Sequence, residues 1–129
     1  MPFNYRFARK WGHAASTNSA TVAGAARFLG IAFIQATDLL ARFIQPNPVL
    51  VTRFRTYHPN PGVGETVTWR LIVNGAPVGA DEVQAAGVEE MTWAVAIPIA
   101  AGNYVSMRIT LSAAAATGTP RWSAEGYYM

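Results

Sequence analysis

Two histidines and seven carboxylates carry most of the acid–base and metal-binding capacity of this 129-residue chain, which has no cysteine. His13 and His58 are far apart in sequence, and neither has a partner at metal-ligand spacing. His58 stands beside Pro59 and is expected in a solvated loop. The pairs Asp81-Glu82 and Glu89-Glu90 bracket the stretch VQAAGV. Four carboxylates at that spacing offer the oxygen ligands that a hard cation such as Ca²⁺ takes, but a solvated connection between strands uses them equally well, and that is the reading taken. No Gly-x-Ser-x-Gly nucleophile elbow occurs, and PNPGVGE lacks the Gly-Lys-Ser/Thr ending of a phosphate loop and precedes a strand pattern. Cupin-like chemistry requires a histidine-rich metal set that two distant histidines do not supply. No catalytic set, cofactor or metal is therefore expected, and the chain reads as a binding or assembly protein, not an enzyme.

The cationic side chains say more. Nine arginines accompany a single lysine, Lys10, and the formal net charge is +3. Arginine is the better residue for planar interfacial ion pairs, because its fork matches a carboxylate and stacks on aromatic rings. Arg6, Arg9, Lys10 and Arg27 all precede the first acidic residue, Asp38. With Phe3, Tyr5, Phe7 and Trp11 interleaved, the N-terminus looks like a basic, aromatic docking arm. It lacks the apolar core of a secretory signal. Arg53, Arg55 and Tyr57 share one strand face and fit nucleic acid weakly. A charge of +3 is low for that role, so nucleic acid is not the expected partner.

These residues must be held by something, and the chain supplies material for one core: 51% of it is hydrophobic, and a domain of this size buries roughly two-thirds of its unfolded surface. No apolar run reaches membrane-spanning length, since Gln35, Asp38, Arg42 and Gln45 interrupt the stretch from Phe28 to Leu50. Turn signals recur at Pro46-Asn47-Pro48, Pro59-Asn60-Pro61-Gly62, Asn74-Gly75, Ala101-Gly102-Asn103 and Gly118-Thr119-Pro120. Short apolar runs punctuated this way predict an all-β sandwich or barrel.

The clearest strand is in AAGNYVSMRITLS, where Val105, Met107, Ile109 and Leu111 face opposite to Tyr104, Ser106, Arg108 and Thr110. In TVTWRLIV, Val67, Trp69, Leu71 and Val73 share a face; in MTWAVAIPI, Met91, Trp93, Val95, Ile97 and Ile99 do, with Pro98 marking a sheet edge or strand end. RWSAEGYYM points Trp122, Ala124 and Tyr128 inward. Trp69, Trp93 and Trp122 are therefore expected in the core, while Tyr104, Tyr127 and Trp11 are less easily buried. VLVTRFRTY is ambiguous, with Leu50 and Phe54 opposite Val49, Val51 and Tyr57, as for a strand covered on both faces. Residues 25–34 and 38–45 are read as two strands joined near Ala36-Thr37-Asp38, against an alanine-rich helical alternative that Gly24 and Gly30 interrupt. Residues 1–24 form the arm and linker, and 25–129 the domain.

Three features of the second half resemble the C1q/TNF-like jelly roll, in particular the stand-alone versions in tailed-phage virion proteins. They are ETVTWRLIVNG ending in Asn74-Gly75, then AIPIAAGNYVSMRITLS, then a Pro-Arg loop leading into the aromatic RWSAEGYYM. RFLG resembles the early aromatic-Gly strand of the phage relatives. Asn103 stands where the family usually has Asp, which weakens any calcium site carried over. The resemblance covers about residues 25–129 and implies a two-sheet antiparallel jelly-roll sandwich that assembles as a homotrimer about a threefold axis, with Tyr104 and Tyr128 as candidate axis residues. It further implies a capsid decoration or cement protein on the exterior of a bacteriophage virion, made in the host cytoplasm and bound to the major capsid protein. The expected docking residues are Arg6, Arg9, Lys10 and Trp11. A chain starting at its own methionine, with no coiled-coil or collagen stalk, fits decoration better than a fibre tip. The alternative is a receptor- or glycan-binding module using loops 59–64 and 113–120 against a host-surface glycan.

Overall fold

The computed structural model describes residues 9–16, 26–29, 34–35, 43–59, 66–112 and 118–129. Among them are ten strands and no helix: β1 (Lys10–Ser16), β2 (Ala26–Leu29), β3 (Ile34–Gln35), β4 (Phe43–Ile44), β5 (Val49–Tyr57), β6 (Val67–Val73), β7 (Ala76–Gln84), β8 (Glu90–Ile99), β9 (Tyr104–Leu111) and β10 (Arg121–Tyr128). They form the expected two-sheet antiparallel sandwich. One sheet runs β1-β10-β5-β8, and the other runs β3-β2-β9-β6-β7 with β4 also on β9. The long pairings are nested: β1 lies beside β10, β2 beside β9, β5 beside β8 and β6 beside β7, after which β10 meets β5 and β9 meets β6.

Alternation builds the core. Trp11, Val49, Val51, Phe54, Ile97, Ile99 and Trp122 from the first sheet meet Leu29, Val67, Trp69, Leu71, Val105, Met107, Ile109 and Leu111 from the second. Removing these side chains from water is the main force holding the sheets together. Trp93 and Tyr128 pack partly against them. Pro98 sits on β8, an edge strand with β5 as its sheet neighbour, where its missing N–H costs no ladder bond. β6 and β7 are joined by Asn74-Gly75, with φ of 52° and 79°. A two-residue type I′ hairpin requires positive φ at both positions, which Asn and Gly tolerate best.

The ambiguous parity of VLVTRFRTY has a different cause from double coverage. Arg53 pairs with Glu125, but the next pair along is Val51 with Gly126, so β5 carries Thr52 as an extra residue against β10. A bulge of this kind reverses the alternation. Val49 and Val51 face the core before it, Phe54 and Thr56 after it, and Arg53 and Arg55 are turned to solvent. The bulging strand presses on its neighbour: a Cβ on Gly126 would overlap the Leu50 carbonyl.

Two strand boundaries differ from the sequence reading. The sandwich takes in residues 10–16, which were assigned to the arm: β1 pairs with β10 along its length, from Lys10 opposite Tyr127 to Ser16 opposite Arg121. Trp11 drives this, since its indole is 8% exposed and belongs to the core. Residues 25–34 are not one strand, because Phe28 pairs with Gln35 and Leu29 with Ile34, so the chain reverses between β2 and β3. Of 38–45, β4 pairs with the start of β9, and the Ala36-Thr37-Asp38 joint lies outside the described residues. The Asp81-Glu82 pair is on β7 rather than in a loop.

Replacing Trp11 by Ala is expected to cost about 3–5 kcal/mol, as for other buried aromatic truncations, and Gly126→Ala roughly 2–3 kcal/mol through backbone overlap at the bulge. Urea unfolding followed by tryptophan fluorescence measures both.

Candidate interaction face

The outward face of the β1-β10-β5-β8 sheet carries Lys10, Arg53, Arg55 and Arg121, while Arg27, Arg70 and Arg108 lie on the other sheet. From β5 come Arg53, Arg55 and Tyr57; from β10, Arg121, Ser123, Glu125 and Tyr127; from β1, Lys10, Gly12 and Ala14; from β8, Glu90, Thr92 and Ala94. Cross-strand register sets the contacts. Arg53 lies opposite Glu125 and makes a hydrogen-bonded ion pair with it. That contact raises the proton affinity of the guanidinium and holds the Glu125 carboxyl below its ordinary value, through the hydrogen bond first. Both groups are solvent-exposed, so the pair adds little to stability.

Arg121 lies opposite Tyr57, and its guanidinium stands 4.3 Å from the ring centroid, a cation–π arrangement that restrains the plane of the fork. Its approach to Glu90 is 3.9 Å. Arg55 makes no hydrogen bond or salt bridge to a described residue, only a longer-range attraction to Glu125. Small side chains between these cations leave a shallow hollow of about 310 Å³, lined by Ala14, Arg55, Tyr57, Glu90, Arg121 and Ser123. It is a mixed-charge surface with a cationic excess. Among the described residues, no group of three His, Asp or Glu that could hold a metal occurs, and no helix is long and apolar enough to cross a membrane.

The residues expected to dock or to line an axis are dispersed. Arg6 lies outside the described residues. Arg9 is exposed with its guanidinium 4.8 Å from the Tyr128 ring centroid, and its carbonyl accepts a 2.9 Å hydrogen bond from the Tyr128 amide. Lys10 is exposed on β1 at the margin of the cationic face. Trp11 points into the core and is not available for docking. Tyr104 begins β9, opposite Ile44, and Tyr128 ends β10, opposite Val49, on different sheets. Both stand at the end of the sandwich that Gln45 ties, its amide donating to the Asn103 carbonyl and its carbonyl accepting from Gly102. Ile44 and Met129 are also exposed there, at 56% and 55%. Most of loops 59–64 and 113–120 lies outside the described residues.

Both histidines correct the sequence reading. His58 is fully buried, not a solvated loop residue. Its amide donates to Glu89, its carbonyl accepts from the Gln84 side chain, and its Nδ1 donates to the Pro59 carbonyl at 2.7 Å. Gln84 in turn accepts from the Trp69 indole. This network links β5 to β6 and β7, one sheet to the other. His13 stacks on Phe43 with ring centroids 3.9 Å apart and tilts against Trp122. It too bridges the sheets. The signal for His13 was its spacing: Trp11 and His13 share one parity, and the small residues Gly12 and Ala14 the other.

Burial holds both imidazoles below the ordinary histidine value of 6.5. The unfolded chain then takes up protons first as the solution is acidified, so the stabilisation is complete above the unfolded value and lost as pH falls through the lower folded-state values. The urea midpoint is expected to be constant above neutrality and to drop as the pH is lowered toward about 5. His13→Phe, which keeps the stack and removes the titration, is expected to shrink that drop.

No protein-family model matches this chain, and no curated protein matches it.

Proposed function

We propose that the protein is a virion structural protein, a jelly-roll decoration protein that assembles as a trimer and clamps the outer face of a tailed-phage capsid. The observation that carries this reading is the cationic face of the four-stranded sheet, which suits broad electrostatic contact with an acidic shell. The nested strand pairing supports the jelly-roll part, because winding a long hairpin into two sheets pairs first strand with last, second with second-last, and so inward. Broad sheet faces can make head-to-tail contacts between copies, which close into a ring when repeated about a threefold axis.

Within this reading, docking passes from the arm to the sheet. Arg53, Arg55 and Arg121 join Lys10, Arg9 and Arg6, and Trp11 is assigned to holding β1 in place. The exposed Tyr104, Ile44 and Met129 suit an apolar contact between copies at one end of the sandwich. Surface charge pairs of this type are screened by salt, so binding is governed by ionic strength. The virion exterior is the site of action, and no cofactor is required.

Light scattering is expected to give a trimer mass, and sedimentation with purified undecorated capsids is expected to give saturable binding that high salt reverses. The charge-reversed variant Arg53→Glu/Arg55→Glu/Arg121→Glu is expected to stay in the supernatant while remaining folded. A monomer removes the trimer, and wild-type trimers that do not sediment with capsids remove the capsid role.

A further inference from the structure

Within the cationic face, one hollow is built differently from its surroundings. Ser123 of β10 lies opposite Arg55 of β5 on one side and opposite Ala14 of β1 on the other. Two small side chains thus make a floor across β1 and β10, and Arg55 and Arg121 rise at its margins. The two cations are not equally engaged. Arg121 is held over Tyr57 at 4.3 Å, with Glu90 3.9 Å away, beyond hydrogen-bonding reach. Arg55 is exposed and makes no hydrogen bond or salt bridge to a described residue, only a longer-range attraction to Glu125. Arg53, the next outward residue on the same strand, is already occupied by Glu125.

We propose that the hollow between Arg55 and Arg121 receives a carboxylate side chain from an acidic segment of a partner protein; this rests on the reading of the face as a docking surface and names the chemistry it recognises. Arg55 supplies two parallel N–H donors to the carboxylate oxygens, and Arg121, kept in plane by Tyr57, supplies charge and a further donor from the opposite margin. Ser123 supplies a hydroxyl at the floor. Arginine rather than lysine fits this task, because the fork matches a planar two-oxygen group.

Charge arrangement separates a carboxylate from a nucleic-acid backbone. A phosphate track needs a line of unengaged cations spaced along the strand. On this face, Glu125 occupies Arg53 and Glu90 stands beside Arg121, so the cationic line is broken at both ends of the hollow. A single side-chain carboxylate fits the gap, whereas a run of phosphates meets Glu90 and Glu125.

The test uses the full chain and a fluorescent glutamate-rich decapeptide, read by anisotropy at low salt. Arg55→Gln is expected to weaken peptide binding about tenfold, the loss of a charged hydrogen-bonded pair. Arg55→Lys is expected to fall between the two, because it keeps the charge and loses the fork. Arg27→Gln, which removes one cation on the other sheet, is expected to change binding less than about twofold. Equal losses for Arg55→Gln and Arg27→Gln would overturn the proposal in favour of diffuse attraction. Tighter binding of a single-stranded oligonucleotide than of the peptide would overturn it in favour of a phosphate site. Capsid sedimentation in parallel separates the two readings. Wild type that sediments with capsids but binds peptide without regard to Arg55 overturns the hollow alone, whereas Arg55-dependent peptide binding without sedimentation sustains the hollow and overturns the capsid role.

Discussion

One extra residue, Thr52, decides which way half of the longest central strand points. Without it, the alternation that buries Val49 and Val51 would carry Arg53, Arg55 and Tyr57 into a core of tryptophan and valine, where unpaired guanidinium groups cost several kcal/mol each. With it, Phe54 and Thr56 turn inward and the cations emerge together beside β10. The same bulge dictates Gly126, because β5 bends toward β10 at that point and leaves no room for a side chain. The cationic face, the Arg53–Glu125 pair and the hollow at Ser123 all follow from this local insertion.

The two ends of the sandwich are closed by buried amides rather than by more hydrocarbon. Gln45 is 2% exposed and Gln84 is 1% exposed, and each satisfies neighbouring groups that would otherwise lose water without replacement. Gln45 donates to the Asn47 carbonyl while its backbone bonds Gly102 and Asn103. Gln84 connects the Trp69 indole to the carbonyls of His58 and Val88. At the β7–β8 end this makes a charged turn sit on a polar lid, and a histidine beside a proline becomes an interior residue. His13 does comparable work at the β1 margin, where its ring and Phe43 join the two sheets.

What the sequence disclosed tracks how purely each strand alternates. β8 and β10 have one covered face each, β6 and β9 depart from this only at the paired, buried Ile72 and Ser106, and the inward residues of all four were legible, as was the Asn74-Gly75 hairpin. β5 was not, because its bulge breaks parity in mid-strand; the conflict between Val51 and Phe54 was itself the trace of the bulge. β7 escaped notice because nearly all its side chains are exposed and Gly79, Asp81 and Glu82 resemble loop composition. β1 was mistaken for an arm because only Trp11 is a large apolar residue in a run of Gly, His and Ala. Arg53, Arg55 and Tyr57 were visible as one face, but their meeting with Arg121 and Ser123 depends on β10 lying beside β5, which no local pattern encodes.

The nested pairing has a consequence for how the chain is made. Translation delivers β1 first and β10 last, so Trp11 has no sheet partner until residues beyond 120 have left the ribosome. Among the described strands, β6 and β7 are the only long neighbours joined by a tight turn; every other long pairing joins strands with at least two others between them in the chain. Closing such distant pairs is slow compared with local contacts and leaves apolar strands unpaired in the interval. β1 is thus made before the other described strands and is among the last to be enclosed, and a nascent chain stalled before Arg121 would hold Trp11 out to any chaperone or protease in reach.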